Sequence, residues 1–233
     1  MHKSILAQWN SNASARVIEL ENGSDPTFQN CTRPLAARLL QQFAPSGGFV
    51  LDIGCGVGFL ANDAANSGYN VTAIDPSPEC IKYASRTFHG VTFYCDTIEH
   101  FSKSHASQFD VCTAHLVLHN IHDLNPFLQA ARLVLKPSGV LLGIMLNPDV
   151  WFLRRRQVAR PVVKIDQNCY HVPFQVKGNQ PHPSCITYFH RTLPDYFAAF
   201  DRAGFDLATT VAFTTPVNFP EDLALFILRP SAS

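Results

Sequence analysis

Apolar positions along the chain follow two rhythms. Short runs at Phe49–Ile53, Asn70–Asp75, Val91–Asp96, Phe109–His115 and Val140–Leu146 are apolar at most positions instead of every second one. That pattern predicts strands covered on both faces, as in a parallel sheet. Between them, Phe59–Ala65 and Leu124–Leu135 carry helical spacing. Two segments before residue 45 do the same, the second running from Thr32 to Phe43 with Pro34 tolerated in its first turn. A last helix ends at Ala203-Gly204-Phe205, where Gly204 suits a C-cap, and strands over about 206–214 and 223–228 follow. The alternation predicts an α/β, doubly wound, Rossmann-like sheet in a single domain. Residues 1–45 form a helical cover, 46–146 the core, 147–190 an insertion, and 191–233 the closing helix and strands.

The insertion breaks the rhythm. It holds Trp151, the run Arg154-Arg155-Arg156, and a stretch rich in proline and aromatic residues from Pro161 to Phe189, which predicts a hairpin or lid. Between the fifth and sixth strands such a segment lies over the carboxyl edge of the sheet, where it closes on a substrate and excludes water. Trp151, Tyr170, His171, Phe174, His182, Tyr188 and His190 are candidates to line an apolar pocket. They serve equally well as the lid's own core or as a homodimer surface. Trp9 and Phe28, in the N-terminal cover, stand between ligand contact and plain packing.

The chemistry begins at Asp52-Ile53-Gly54-Cys55-Gly56-Val57-Gly58, where a strand runs through three alternate glycines into a helix. Missing Cβ atoms let backbone amides approach a ligand at the positive end of that helix. A dinucleotide fingerprint would place its third glycine at position 59, which is Phe59, so hydride-transfer cofactors are disfavoured. Asp75 ends the second strand, 21 residues beyond Gly54. A carboxylate there accepts hydrogen bonds from both hydroxyls of a ribose; its plain alternative is a helix N-terminal acid beside Pro76-Ser77-Pro78. Asp96 ends the third strand before Thr97 and could equally cap its own loop. Ala114 and His115 form the tip of the fourth strand, where a neutral imidazole could take a proton; His119, in the loop that follows, is the second candidate for that catalytic role.

Composition narrows the partners. The 18 Lys and Arg balance 18 Asp and Glu over 233 residues, so nothing global steers the chain to nucleic acid or an anionic membrane. The seven cysteines, at 31, 55, 80, 95, 112, 169 and 185, form no C-x-x-C pair and read as reduced core residues of a cytoplasmic protein. No metal is expected, and no run approaches the roughly 20 apolar residues of a membrane span.

The Gly-rich stretch resembles motif I of the class I S-adenosylmethionine-dependent methyltransferases. Further marks follow in order: Asp75; Asp96; Asp110, Val111, Leu118 and His119; the turn from Arg132 to Gly139; and His190-Arg191 with Leu193, Tyr196 and Gly204-Phe205. The departures are Asn120 where a second His is usual and Ser138 where Gly is usual. The resemblance implies a seven-stranded sheet whose last hairpin is antiparallel, with S-adenosylmethionine as cofactor. It implies contacts from Asp52, Gly54, Cys55, Gly56, Asp75, Pro76, Ala114 and His115, and an adenine site at Asp96 and Thr97. Methyl transfer to an O, N or C nucleophile of a small aromatic or heterocyclic metabolite, of the kind found in secondary metabolism, is the implied activity. A protein methyltransferase, a non-catalytic partner subunit of this fold, and sulfonium-promoted chemistry other than methyl transfer are the alternatives.

Overall fold

The computed structural model describes residues 2–150, 162–176, 182–209 and 223–231. A seven-stranded sheet has the order β3-β2-β1-β4-β5-β10-β9. Its strands are β1 (Phe49–Ile53), β2 (Asn70–Ile74), β3 (Val91–Tyr94), β4 (Phe109–His115), β5 (Leu135–Leu146), β9 (Phe205–Thr209) and β10 (Leu223–Pro230). The first five run parallel, and β10 pairs antiparallel with both β5 and β9. The strand order reverses between β1 and β4, which opens a crevice at the carboxyl edge.

Both faces of the sheet are covered, as the near-continuous apolar runs require. Leu51, Ile53, Cys112, Leu141 and Phe226 pack on one side with α6 (Leu124–Val134) and α7 (Leu193–Arg202). Val50, Val71, Val111, Leu142 and Ile144 pack on the other with α2 (Arg33–Phe43) and α3 (Phe59–Asn66). Helix starts are written locally: Ser77 accepts from the Cys80 N–H at the head of α4 (Pro78–Thr87), and Thr192 with Asp195 closes a capping box on α7.

The fifth strand starts earlier than its apolar run. Leu135 pairs with Phe109, and pairing resumes at Val140 with Val111, so Lys136–Gly139 are looped out inside the strand as a bulge. Lys136 Nζ donates to Asp110 Oδ1 at 2.8 Å and pins that bulge to β4. Cys95 also departs from expectation: it is exposed, whereas Cys80, Cys112 and Cys169 are buried, and all seven thiols are free.

The insertion forms a three-stranded antiparallel sheet, β6 (Val163–Asp166), β7 (Cys169–Val172) and β8 (Ile186–Phe189). It rests on α1 (His2–Glu21), which lacks a clean amphipathic stripe because it buries two different faces. Ala13, Val17 and Leu20 meet Val57 and Cys80 of the core. Gln8, Asn12 and Glu19, within about 40° of one another at ~100° per residue, hydrogen-bond to the lid instead. A π-helical turn, Phe28–Thr32, leads into α2. Trp151 and the three arginines at 154–156 lie outside the described residues, as does the ninth strand's expected extension beyond 209.

Candidate cofactor and acceptor site

The Gly-rich loop and Asp75 interlock. The N–H groups of Gly54 and Cys55 both donate to the Ile74 carbonyl, at 2.8 and 3.0 Å. Gly56 N–H donates to Asp75 Oδ2 at 2.9 Å, and Ser77 N–H donates to Oδ1 at 2.8 Å. Burial raises the Asp75 carboxyl, while those two donors pull the other way. Each carboxylate oxygen keeps further lone pairs for a ligand. Gly56 adopts φ 53°, and a Cβ there would meet nothing within 4 Å, so the loop is an open cradle beside an oriented acid. Gly54, at φ 72°, has the opposite constraint: a Cβ would stand 2.6 Å from Val117 Cγ2.

Asp52 is a carboxyl buried in the middle of an apolar strand. Its register partner across β4 is Thr113, whose Oγ1 donates to Asp52 Oδ1 at 2.7 Å. Burial pushes the Asp52 carboxyl up to about 6, Thr113 opposes the shift, and the neighbouring Asp75 charge adds to it. Asp52, Thr113, Ala114 and His115 line one cavity with Leu142 and Ile144, and Arg33 and Asp63 stand at it too. Arg33 Nη2 donates to Asp63 Oδ1 at 2.7 Å and its Nη1 donates to Gln29 at 3.2 Å. The sequence offered no marker for Thr113 or Arg33; Thr113 is visible only through strand register and Arg33 only through the docking of α2.

His115 closes β4 with its Nε2 buried and without a protein partner. Burial, then the nearby Arg16 charge, lowers its pKa to about 3, so the ring is neutral at pH 7. Phe28 meets it edge-on at 6.3 Å. The next residue, Leu116, takes φ 57°, a left-handed conformation that costs about 1–2 kcal/mol in a residue with a Cβ. His119 lies deeper, 4 % exposed, with its ring 5.7 Å from that of Tyr188. It is likewise lowered to about 3, by burial and then by His115 and Arg191.

The remaining candidates divide. Asp96 is turned onto its own loop, with Oδ1 accepting from Thr97 N–H at 2.8 Å and Oδ2 2.7 Å from His100 Nδ1. Thr97 caps α5 (Ile98–Phe101). The Pro76 carbonyl faces Cys95 Sγ at 3.7 Å, and Cys55 Sγ lies 3.6 Å from the Gly56 carbonyl. Trp9 packs on Phe174 at 5.5 Å, and Phe174 on His182 at 4.2 Å. Tyr188 is 1 % exposed in the lid's small core, with Tyr170 packed against that core; His190 stands 6.1 Å from Tyr188, while His171 is half-buried on β7. Among the described residues no cluster of His, Cys, Asp and Glu is gathered for a metal ion. No described helix is long and apolar enough to cross a membrane.

The donor set fits S-adenosylmethionine. Asp75, with both oxygens oriented by loop amides, has the geometry to accept from ribose hydroxyls, and Asp52 has the charge to pair with the cofactor's ammonium, while Arg33 at the Asp52 cavity is already forked onto Asp63.

Comparison with known proteins points the same way. Residues 51–143 match the family model described as a methyltransferase domain. A ubiquinone biosynthesis O-methyltransferase of Actinobacillus pleuropneumoniae serotype 7 is 34% identical over 149 residues, covering 60% of this chain and 59% of that protein. One from Xanthomonas axonopodis pv. citri is 35% identical over 109 residues, 44% of this chain and 45% of that protein. The chain therefore spans less than two thirds of the length of the curated relatives it matches. Among solved structures, an S-adenosylmethionine-dependent methyltransferase from Clostridium acetobutylicum superposes with a TM-score of 0.69 at 14% identity, covering 93% of this chain and 99% of that one. The 1,6-didemethyltoxoflavin-N1-methyltransferase of Burkholderia thailandensis, solved with 1,6-didemethyltoxoflavin and S-adenosylhomocysteine, gives 0.58 at 20% identity, covering 94% and 87%. With this sheet order, this loop and this match across residues 51–143, the chain has the fold of the class I S-adenosylmethionine-dependent methyltransferases and is similar to them through its core.

Proposed function

We propose that the protein transfers a methyl group from S-adenosylmethionine to a small, largely apolar acceptor held between the β4 tip and the lid. The observation that carries this reading is the interlock of the Gly-rich loop with Asp75, since both carboxylate oxygens are positioned by backbone N–H groups of the loops that would flank a ribose. Calorimetry with S-adenosylmethionine tests it: micromolar binding to the wild type that Asp75→Ala abolishes supports the reading, and no binding to the folded protein sinks it.

The bound cofactor supplies an already activated methyl on a sulfonium. The chain's own residues would therefore act chiefly by aligning the acceptor and keeping water out. His115 suits alignment better than proton removal. An imidazole whose conjugate acid has a pKa near 3 has little driving force to take a proton from a hydroxyl, whereas its buried Nε2 still makes a hydrogen bond. Phe28, edge-on to it, favours a ring as the acceptor. The curated relatives are named as O-methyltransferases, so phenolic hydroxyls head the acceptor screen, with heterocyclic nitrogens next. A turnover loss of about tenfold in His115→Asn, with an unchanged pH profile, is the outcome alignment requires; a loss of about a thousandfold or more would instead make it the base.

A further inference from the structure

Helix α1 touches both halves of the site, and its polar contacts are specific. On one side Ser77 Oγ donates to Asn10 Oδ1 at 2.6 Å, while the same residue's N–H holds Asp75 Oδ1 at 2.8 Å. Two residues further along α1, Asn12 forms a two-point bond with the lid backbone: Nδ2 donates to the Ser184 carbonyl at 3.1 Å, and Ser184 N–H donates to Oδ1 at 2.8 Å. Asn12 is fully buried. Thr187 Oγ1 donates to Gln8 at 3.0 Å, and His182 Nε2 lies 3.2 Å from Glu19 Oε2.

Among the described residues a short path, Ser77 and then Asn10 and Asn12 on one turn of helix, joins the proposed ribose acid to the lid backbone. A ligand that draws Asp75 into hydrogen bonds stiffens the 75–77 turn, the turn holds Asn10, and a helix fixed at Asn10 presents Asn12 to Ser184. The lid's small core, Val172, Ile186 and Tyr188, packs against Trp9 of α1 and Leu146 of β5, and Ser184, Thr187 and His182 take polar partners from α1. We infer that Asn10 and Asn12 are positioning residues that couple the two sites, so that the lid docks only after the cofactor is bound and the acceptor enters second.

The inference rests on the cofactor reading above, and the test separates the two. Hydrogen exchange of lid strands β7 and β8 is followed with and without saturating S-adenosylhomocysteine, whose binding is measured in parallel by calorimetry. In the wild type, the ligand slows lid exchange by about tenfold or more. In Asn10→Ala the ligand still binds, a few-fold more weakly, but lid exchange no longer responds. Asn10→Asp, which keeps an acceptor oxygen for Ser77, restores the response. Asn12→Ala supplies the independent arm: ligand affinity is retained while the lid exchanges fast in both states. Binding to the wild type with no change in the lid overturns the coupling alone, as does full lid protection in ligand-saturated Asn10→Ala or Asn12→Ala. No binding to the wild type overturns the coupling and the cofactor reading together.

Discussion

The cofactor end of the sheet and the joint between α1 and the lid solve the same problem, buried polar groups, in opposite ways. At the cofactor end the donors are mostly backbone: Gly54, Cys55, Gly56 and Ser77 give their N–H groups to the Ile74 carbonyl or the Asp75 carboxylate. At the joint the partners come largely from side chains, Gln8, Asn12 and Glu19 reaching Thr187, Ser184 and His182. Backbone donors need only a particular loop shape, and three glycines in fixed spacing supply it. Side-chain donors need two distant elements to dock in register, so the joint opens more readily than the loop deforms.

That contrast breaks hardest at Asp75. Asp75→Ala removes the acceptor of two loop amides and, on the proposed reading, of the ribose, so cofactor affinity is expected to fall by about a hundredfold or more in calorimetry. If affinity holds, the carboxylate is only a loop staple. Gly54→Ala comes next: strain at φ 72° and the contact with Val117 together lower stability by about 2–4 kcal/mol, read as a shifted urea midpoint. Gly56→Ala shares the positive φ but meets open space, so about 1–2 kcal/mol is expected, with the larger share of its effect on cofactor binding. Equal losses at the two positions would show that space around the loop does not matter.

Asn12→Ala acts on the other side of the comparison. It leaves the Ser184 N–H and carbonyl without partners at a cost of about 1–3 kcal/mol, expected as faster proteolysis within the lid and not as a lower melting point for the core. A uniform loss of stability would merge the two regions into one cooperative unit.

The smallest effect concerns Asp52. Its carboxyl is raised to about 6 in the folded chain, so between roughly pH 4 and 6 the native state holds a proton that the unfolded state has lost. This contribution to stability is therefore present at acid pH and lost as pH rises through about 6. A cationic ligand favours the ionised form, so cofactor affinity rises several-fold through the same range, and Asp52→Asn flattens the profile. His115 runs the other way: with its pKa lowered to about 3, the stability it contributes is full above its unfolded value near 6.5 and is lost as pH falls towards 3. An unchanged pH profile in Asp52→Asn would remove Asp52 from the ligand's surroundings.

Much of the first region was written into the chain itself. The parallel strands, the turn at Gly54–Gly58 and the acids at the ends of β2 and β3 follow from apolar periodicity and short-range spacing, which act between neighbours in sequence. Only the folded molecule decided where the buried polar side chains find partners. Asp52 meets Thr113 across 61 residues, Glu19 meets His182 across 163, and Gln8 meets Thr187 across 179, while Asp96 turns back to its immediate neighbours. A hydrogen bond over such separations leaves no periodic trace. It exists because packing brings two desolvated groups together, and each would cost about 1–3 kcal/mol if left alone. The same reason hides the joint on α1: with no clean amphipathic stripe in the helix, nothing along the sequence marks Gln8, Asn12 and Glu19 as the residues on which the lid docks.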